Sequence, residues 1–160
     1  YEILYRLVGS EMRIRDSATM AQQAVSQYQA EFVVSAIDAR MGEVYFGIYQ
    51  KNSSDVMQLL GGEQVLSPEK ASEILADFVQ EHGAHFCVAG TGWNTYPQIL
   101  EVKEKVKSLA KNTDILYPDA EFMLPLAESM IQNDLAVGVA EAQPLYVRDQ
   151  VTWKKLPGRE

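Results

Sequence analysis

One cysteine and two histidines are all that the 160-residue sequence offers to disulfide or zinc chemistry. Cys87 has no second cysteine to pair with, and His82 and His85 lack the i, i+4 spacing that sets two imidazoles on one helical face. No run of about 18 apolar residues exists that would cross a bilayer as a helix. The chain is therefore expected to be soluble, without membrane contact, in a reducing compartment such as the cytoplasm. No signal peptide opens it, and the start at Tyr1 rather than Met places the expected N-terminus upstream. Surplus positive charge is also lacking, since 14 Lys and Arg face 22 Asp and Glu for a net −8. A surface built to neutralise nucleic-acid phosphates has the opposite balance.

What is present is ordinary for one globular domain, 47% hydrophobic and 22% charged residues. The charge is uneven. The last fifteen residues, "YVRDQVTWKKLPGRE", carry Arg148, Lys154, Lys155 and Arg159 against Asp149 and Glu160. A basic end on an acidic body reads first as a solvated tail. The sharper reading is a tail, 144–160, that docks onto a partner with Trp153 as its apolar anchor.

Residues 1–16 show no clean pattern and stay unassigned, as a remnant or a tag. From Ser17, a capping candidate, Ala21, Ala24, Val25 and Tyr28 recur at helical spacing. Two β-branched and aromatic runs, Phe32 to Ile37 and Val44 to Tyr49, flank a turn containing Gly42 and predict a hairpin. A third strand is expected within 56–60 or 63–66. Ser67-Pro68 then opens a helix carrying Ala71, Ile74, Leu75, Phe78 and Val79, which Gly83 ends. A buried strand at 85–89 leads into Gly90-Thr91-Gly92. A helix around 96–100, extendable through the charged residues to 111, a strand at 114–117 stopped by Pro118, and a helix over 125–132 complete the pass.

Three antiparallel strands followed by alternating helices and parallel strands predict a mixed α/β sheet, β-β-β-α-β-α-β-α. That is the order of the ribonuclease H-like fold, shared by nucleases, sugar kinases, actin and Hsp70 chaperones. In the kinase and actin group, two such lobes clamp ATP and the first hairpin of each touches phosphate.

Here the corresponding hairpin is "SAIDARMGEVYFGIYQ", with Asp38, Arg40 and Glu43 around the tip. Close approach to a phosphate favours glycine, and only Gly42 qualifies. The residues therefore predict a charged turn, with Arg40 as the one group suited to a phosphate. Gly90-Thr91-Gly92 resembles a loop that cradles a nucleotide but lacks the G-x-x-x-x-G-K-S/T spacing, and Trp93 would fill the space a nucleotide needs. Cys87 reads as a small buried side chain rather than a nucleophile. Glu101/Glu104 and Asp119/Glu121 read as solvated surface, not as an acid–base pair. A ribonuclease-type metal site would start from Asp38, but convincing partners are missing.

"AIDARMGEVYFGIY" (36–49), "VAGTGW" (88–93) and "PLYVRDQVTWKKLPGRE" (144–160) closely resemble the TsaB family of bacteria, also called YeaZ, and "SATMAQQA" (17–24) resembles the helix before its hairpin. The resemblance implies an actin-like superfamily fold, paralogous to the enzyme TsaD. It implies a non-catalytic subunit that binds TsaD and acts with TsaE in making threonylcarbamoyladenosine beside the tRNA anticodon. It also implies homodimers, tRNA contact only through the complex, no cofactor of its own, and ATP or ADP only at an interface. The signature or interface residues it marks are Asp38, Arg40, Gly42, Glu43, Tyr45, Gly90, Thr91, Gly92, Trp93, Arg148, Trp153, Lys154 and Lys155; catalytic and metal residues are expected to be none. Family members are longer and begin with a full first lobe. Met12-Arg13-Ile14 echoes their start, so 17–160 is expected to be the C-terminal lobe, with the first lobe largely missing. The competing readings are a glycoprotease-like peptidase or resuscitation-promoting factor, and an ATP-binding kinase-like enzyme.

Overall fold

Strand β1 (Phe32–Arg40) explains its own nearly unbroken apolar run, because it is buried on both faces. In this computed structural model, which describes residues 11–137, Phe32, Val34 and Ala36 enter one core while Val33 enters a second on the opposite face. β2 (Glu43–Lys51) folds back antiparallel on β1, from Gln50 opposite Phe32 to Glu43 opposite Arg40. β3 (Met57–Leu66) pairs antiparallel with β2. The parallel part follows after α2 (Pro68–His82), with β4 (Phe86–Ala89) beside β1 and β5 (Ala110–Asn112) beside β4.

The sheet order is β3-β2-β1-β4-β5, the mixed sheet of the ribonuclease H-like fold. On one face, Ala71, Leu75 and Phe78 of α2 and Ile99 of α4 (Pro97–Lys105) pack on β1, β2 and β4. On the other, Met20, Ala21, Ala24 and Val25 of α1 (Glu11–Tyr28) cover Val33, Tyr49, Met57 and Cys87. α5 (Met123–Gln132), entered through a 3-10 turn at Ala120–Phe122, lies against α1. The start and stop signals of α2 work as read. Ser67 Oγ accepts from the Lys70 N–H at 3.3 Å, and Gly83, at φ +56°, donates its N–H to the Val79 carbonyl.

Four sequence expectations are corrected. Ser17 is not a cap, because α1 is continuous from Glu11 and Ser17 is fully buried inside it. The two candidate third strands are halves of β3, whose register shifts opposite Phe46–Ile48, where Gly61 at φ +72° permits a bulge. The helix beginning near Tyr96 ends at Lys105, and β5 occupies residues that were expected to prolong it. Finally, 114–117 is not a strand. Ile115 is buried beneath α1 while Leu116 and Tyr117 are exposed, whereas the polar Ala110–Asn112 suffices for an edge strand that needs only one neighbour. A short helix absent from the expectation, α3 (Gly92–Thr95), follows β4 directly.

Candidate functional site

Because β1 and β4 run parallel, with Ser35 opposite Ala89, their carboxyl ends meet at one edge. Ligands of open α/β sheets bind at such an edge. Here it is laced by the protein's own groups. The Asp38 N–H donates to Thr91 Oγ1 at 3.2 Å, joining the hairpin to the glycine loop. The Tyr96 hydroxyl lies 2.7 Å from Asp38 Oδ1 and 2.7 Å from the Glu43 carbonyl oxygen, so its single proton bridges both strands of the hairpin. Asp38 Oδ1 also accepts from the Arg40 N–H at 3.0 Å. The Arg40 guanidinium stands 3.8 Å from Asp38 Oδ2 with its side chain 83% exposed, an ion pair of little energetic weight.

Partial burial, reinforced by the bond to Asp38 and that carboxylate's charge, pushes the Tyr96 phenol up to about 12. The folded state therefore holds the phenolic proton more tightly than the unfolded state, whose tyrosines titrate near 10. The stabilisation is complete below pH about 10 and is lost as pH rises toward about 12. Tyr96→Phe is expected to lower stability by about 1–2 kcal/mol near neutrality, the scale of a hydrogen bond to a charged acceptor. Urea midpoints measured from pH 8 upward are the check. The wild type should lose its advantage over the variant across that alkaline window.

The tip of the hairpin carries three successive residues with positive φ, Arg40 (+64°), Met41 (+57°) and Gly42 (+79°). Positive φ at both loop residues, Met41 and Gly42, is what a tight two-residue hairpin requires. The glycine is thus explained by the turn, and a Cβ at Gly42 would meet nothing within 4 Å.

Gly90 and Gly92 answer to a different constraint. A Cβ at Gly90 would stand 2.3 Å from the Ala36 carbonyl oxygen, and one at Gly92 2.9 Å from the same atom. Both glycines therefore let the loop seat on the β1 backbone. Gly90, at φ +101°, also donates its N–H to the Ile115 carbonyl at 2.8 Å. Trp93 is 3% exposed, packs in the core shared with α2 and gives its indole N–H to the Ala89 carbonyl at 3.0 Å. The pattern that resembles a nucleotide loop in the sequence is here a packing pattern.

Of the residues marked from sequence, the structure brings together Asp38, Arg40, the Glu43 backbone and Thr91, with Gly90, Gly92 and Trp93 forming the floor; Tyr45 is buried in β2. Tyr96 was missed, and its signal was an aromatic residue directly before the helix-opening Pro97. Arg148, Trp153, Lys154 and Lys155 lie outside the described residues. His82 stacks on Phe78 with ring centroids 4.7 Å apart. Burial pushes the Cys87 thiol up, away from the thiolate a nucleophile needs. Glu101 pairs with Lys105 at 3.1 Å, and Asp119 Oδ1 accepts from the Glu121 N–H at 3.1 Å to cap the 3-10 turn. Among the described residues, no group of three or more His, Cys, Asp or Glu side chains is placed to hold a metal ion.

Sheet order and strand-end edge together define a lobe of the ribonuclease H-like fold, to which the actin-like proteins also belong. No protein-family profile matches the chain. It is similar to the tRNA threonylcarbamoyladenosine biosynthesis protein TsaB of Escherichia coli, with 38% identity over 142 residues, covering 89% of this chain and 58% of that protein. To the protein of the same name from Haemophilus influenzae it is 42% identical over 154 residues, 92% of this chain and 60% of that one. The solved structure of YeaZ from Pseudomonas aeruginosa superposes with a TM-score of 0.62 at 35% identity, covering 82% of this chain and 57% of that one. A second, described as an uncharacterized Pseudomonas aeruginosa protein with similarity to peptidase YEAZ, gives 0.62 at 34%, covering 83% and 56%. The chain belongs to the TsaB (YeaZ) family, and spans about three-fifths of the length of the curated relatives it matches.

Proposed function

We propose that the chain is part of a non-catalytic scaffold subunit in tRNA threonylcarbamoyladenosine synthesis, one that binds the transferase TsaD and acts with the ATPase TsaE. The observation that carries the reading is the closed strand-end edge. Where an actin-like lobe would take a nucleotide phosphate, Gly90 and Gly92 are seated on the Ala36 carbonyl and the Tyr96 phenol ties the hairpin shut. On this reading the hairpin side of the edge holds no nucleotide alone, and ATP or ADP enters there only at an interface with a partner. The acidic balance suits a subunit that meets tRNA through its complex. Apolar side chains exposed between 116 and 137, among them Tyr117, Leu124, Ile131 and Leu135, supply surface for a partner protein or a second copy. No helix among the described residues is long and apolar enough to cross a membrane, which is compatible with action in the cytoplasm.

The test is reconstitution of synthesis from purified TsaD, TsaE, tRNA and small-molecule substrates. Adding the full protein should restore modification and co-purify with TsaD. Unchanged synthesis with and without it, together with no association, would overturn the reading.

A further inference from the structure

The strand-end edge that is closed beside β1 is open on the other side of β4. A cleft of about 220 Å³ lies there at the carboxyl ends of β4 and β5, lined by Trp93, Asn94, Lys103, Asn112, Thr113 and Leu116 among others. Lys103, in the last turn of α4, is turned into the protein and is only 8% exposed. We propose that this cleft binds a small oxyanion, a phosphate or the phosphate end of a nucleotide, through the Lys103 ammonium.

The charge on Lys103 is incompletely balanced. A lysine so deeply buried is rare unless paired. Its ammonium has three N–H donors, yet the contacts it makes are Asn112 Oδ1 at 2.9 Å and the Trp93 ring, whose centroid is 5.9 Å away. Among the described residues no carboxylate lies within 4 Å of it. The carbonyl end of α4 favours a cation there, but favours it equally in solvent and does not account for the burial. Two amides complete a donor set. Asn112 spends its carbonyl oxygen on Lys103, which leaves its NH₂ to give, and Asn94 lines the same cleft. Thr113 does not belong to that set, because its hydroxyl donates to the Val88 carbonyl and accepts from the Ile115 N–H.

One cation and amide N–H groups without a carboxylate select an anion rich in acceptor oxygens. Size narrows the choice, since pockets for whole drug-sized ligands run to about 300–1,000 Å³. The cleft suits a single oxyanion group. The cleft shares Gly90 and Trp93 with the closed edge, but no residue of the hairpin lines it, so the proposal and the scaffold reading fail independently.

The test uses the full protein with lysine labelled at the ε-carbon, titrated at constant ionic strength and followed by NMR. Inorganic phosphate should move one lysine resonance saturably at millimolar concentration or tighter, and Lys103→Met should remove that resonance and the response of its neighbours. Asn112→Asp places a carboxylate beside the ammonium and should weaken phosphate binding at least tenfold in a protein whose remaining spectrum is intact. Adenosine monophosphate binding more tightly than phosphate would identify a nucleotide as the source, and equal binding a free anion. A static Lys103 resonance, an undiminished phosphate response in either variant, or a response to neutral adenosine alone would overturn the proposal.

Discussion

Gly90→Ala is expected to cost the fold about 2–6 kcal/mol, the combined scale of a residue held in a disfavoured backbone region and of an overpacked contact. The new methyl carbon would lie 2.3 Å from the Ala36 carbonyl oxygen at φ +101°, and neither the β1 backbone nor the loop can yield without breaking the seat. Against a total stability of about 5–15 kcal/mol for a domain, the loss is a large fraction. Urea denaturation at unchanged m-value is the readout. Gly42→Ala is the internal contrast. It meets nothing within 4 Å, so it carries only the cost of positive φ, about 1 kcal/mol. Equal effects at the two glycines would mean that the loop is not pressed against β1.

Trp93→Ala is expected to destabilise by about 3–5 kcal/mol, as large-to-small changes of buried aromatics do. The indole is buried at the start of α3 and joins the glycine loop to the main core, so its removal leaves a cavity beneath the strand-end edge. Trp93→Phe separates the packing from the hydrogen bond. The ring is largely restored, and the remaining loss, about 1–3 kcal/mol, belongs to the Ala89 carbonyl left without its donor. Thermal or urea unfolding of both variants checks the order. A Trp93→Ala protein as stable as the wild type would contradict a packed loop.

Elements with a sharp boundary chemistry were legible. The Ser67-Pro68 start and Gly83 stop fix α2 because each residue satisfies a helix-end group. The hairpin follows from its two apolar runs, and the sheet order follows from chain order, since antiparallel neighbours precede the parallel crossovers. Errors fell where burial and pattern disagree. Residues 114–117 look like a strand because they are apolar, yet β5 forms over polar residues at an exposed edge. Ser17 looks like a cap because it can hydrogen-bond, yet it lies buried within a helix.

The hairpin was found from its apolar runs, while its lock, Tyr96, comes from 53 residues beyond Glu43, and an aromatic residue before Pro97 does not say what it will reach. The glycine loop was legible only as a weak resemblance to a nucleotide loop. What it approaches, the Ala36 carbonyl, is a tertiary fact that spacing does not encode. Lys103 was not singled out in the charged stretch that ends at 111, and only the fold turns it inward.

The most direct test of a structural rather than catalytic hairpin is the rate of threonylcarbamoyladenosine formation by the reconstituted complex carrying Arg40→Ala, measured with the partner saturating. Arg40 is the exposed cation at the tip and the group a phosphate would use. On the scaffold reading its removal should leave turnover per complex within about twofold of wild type, because that reading gives Arg40 no transition-state charge to stabilise. A fall of about 100-fold or more, the scale of losing a group that stabilises developing charge, would contradict the account and make the hairpin part of the catalytic machinery.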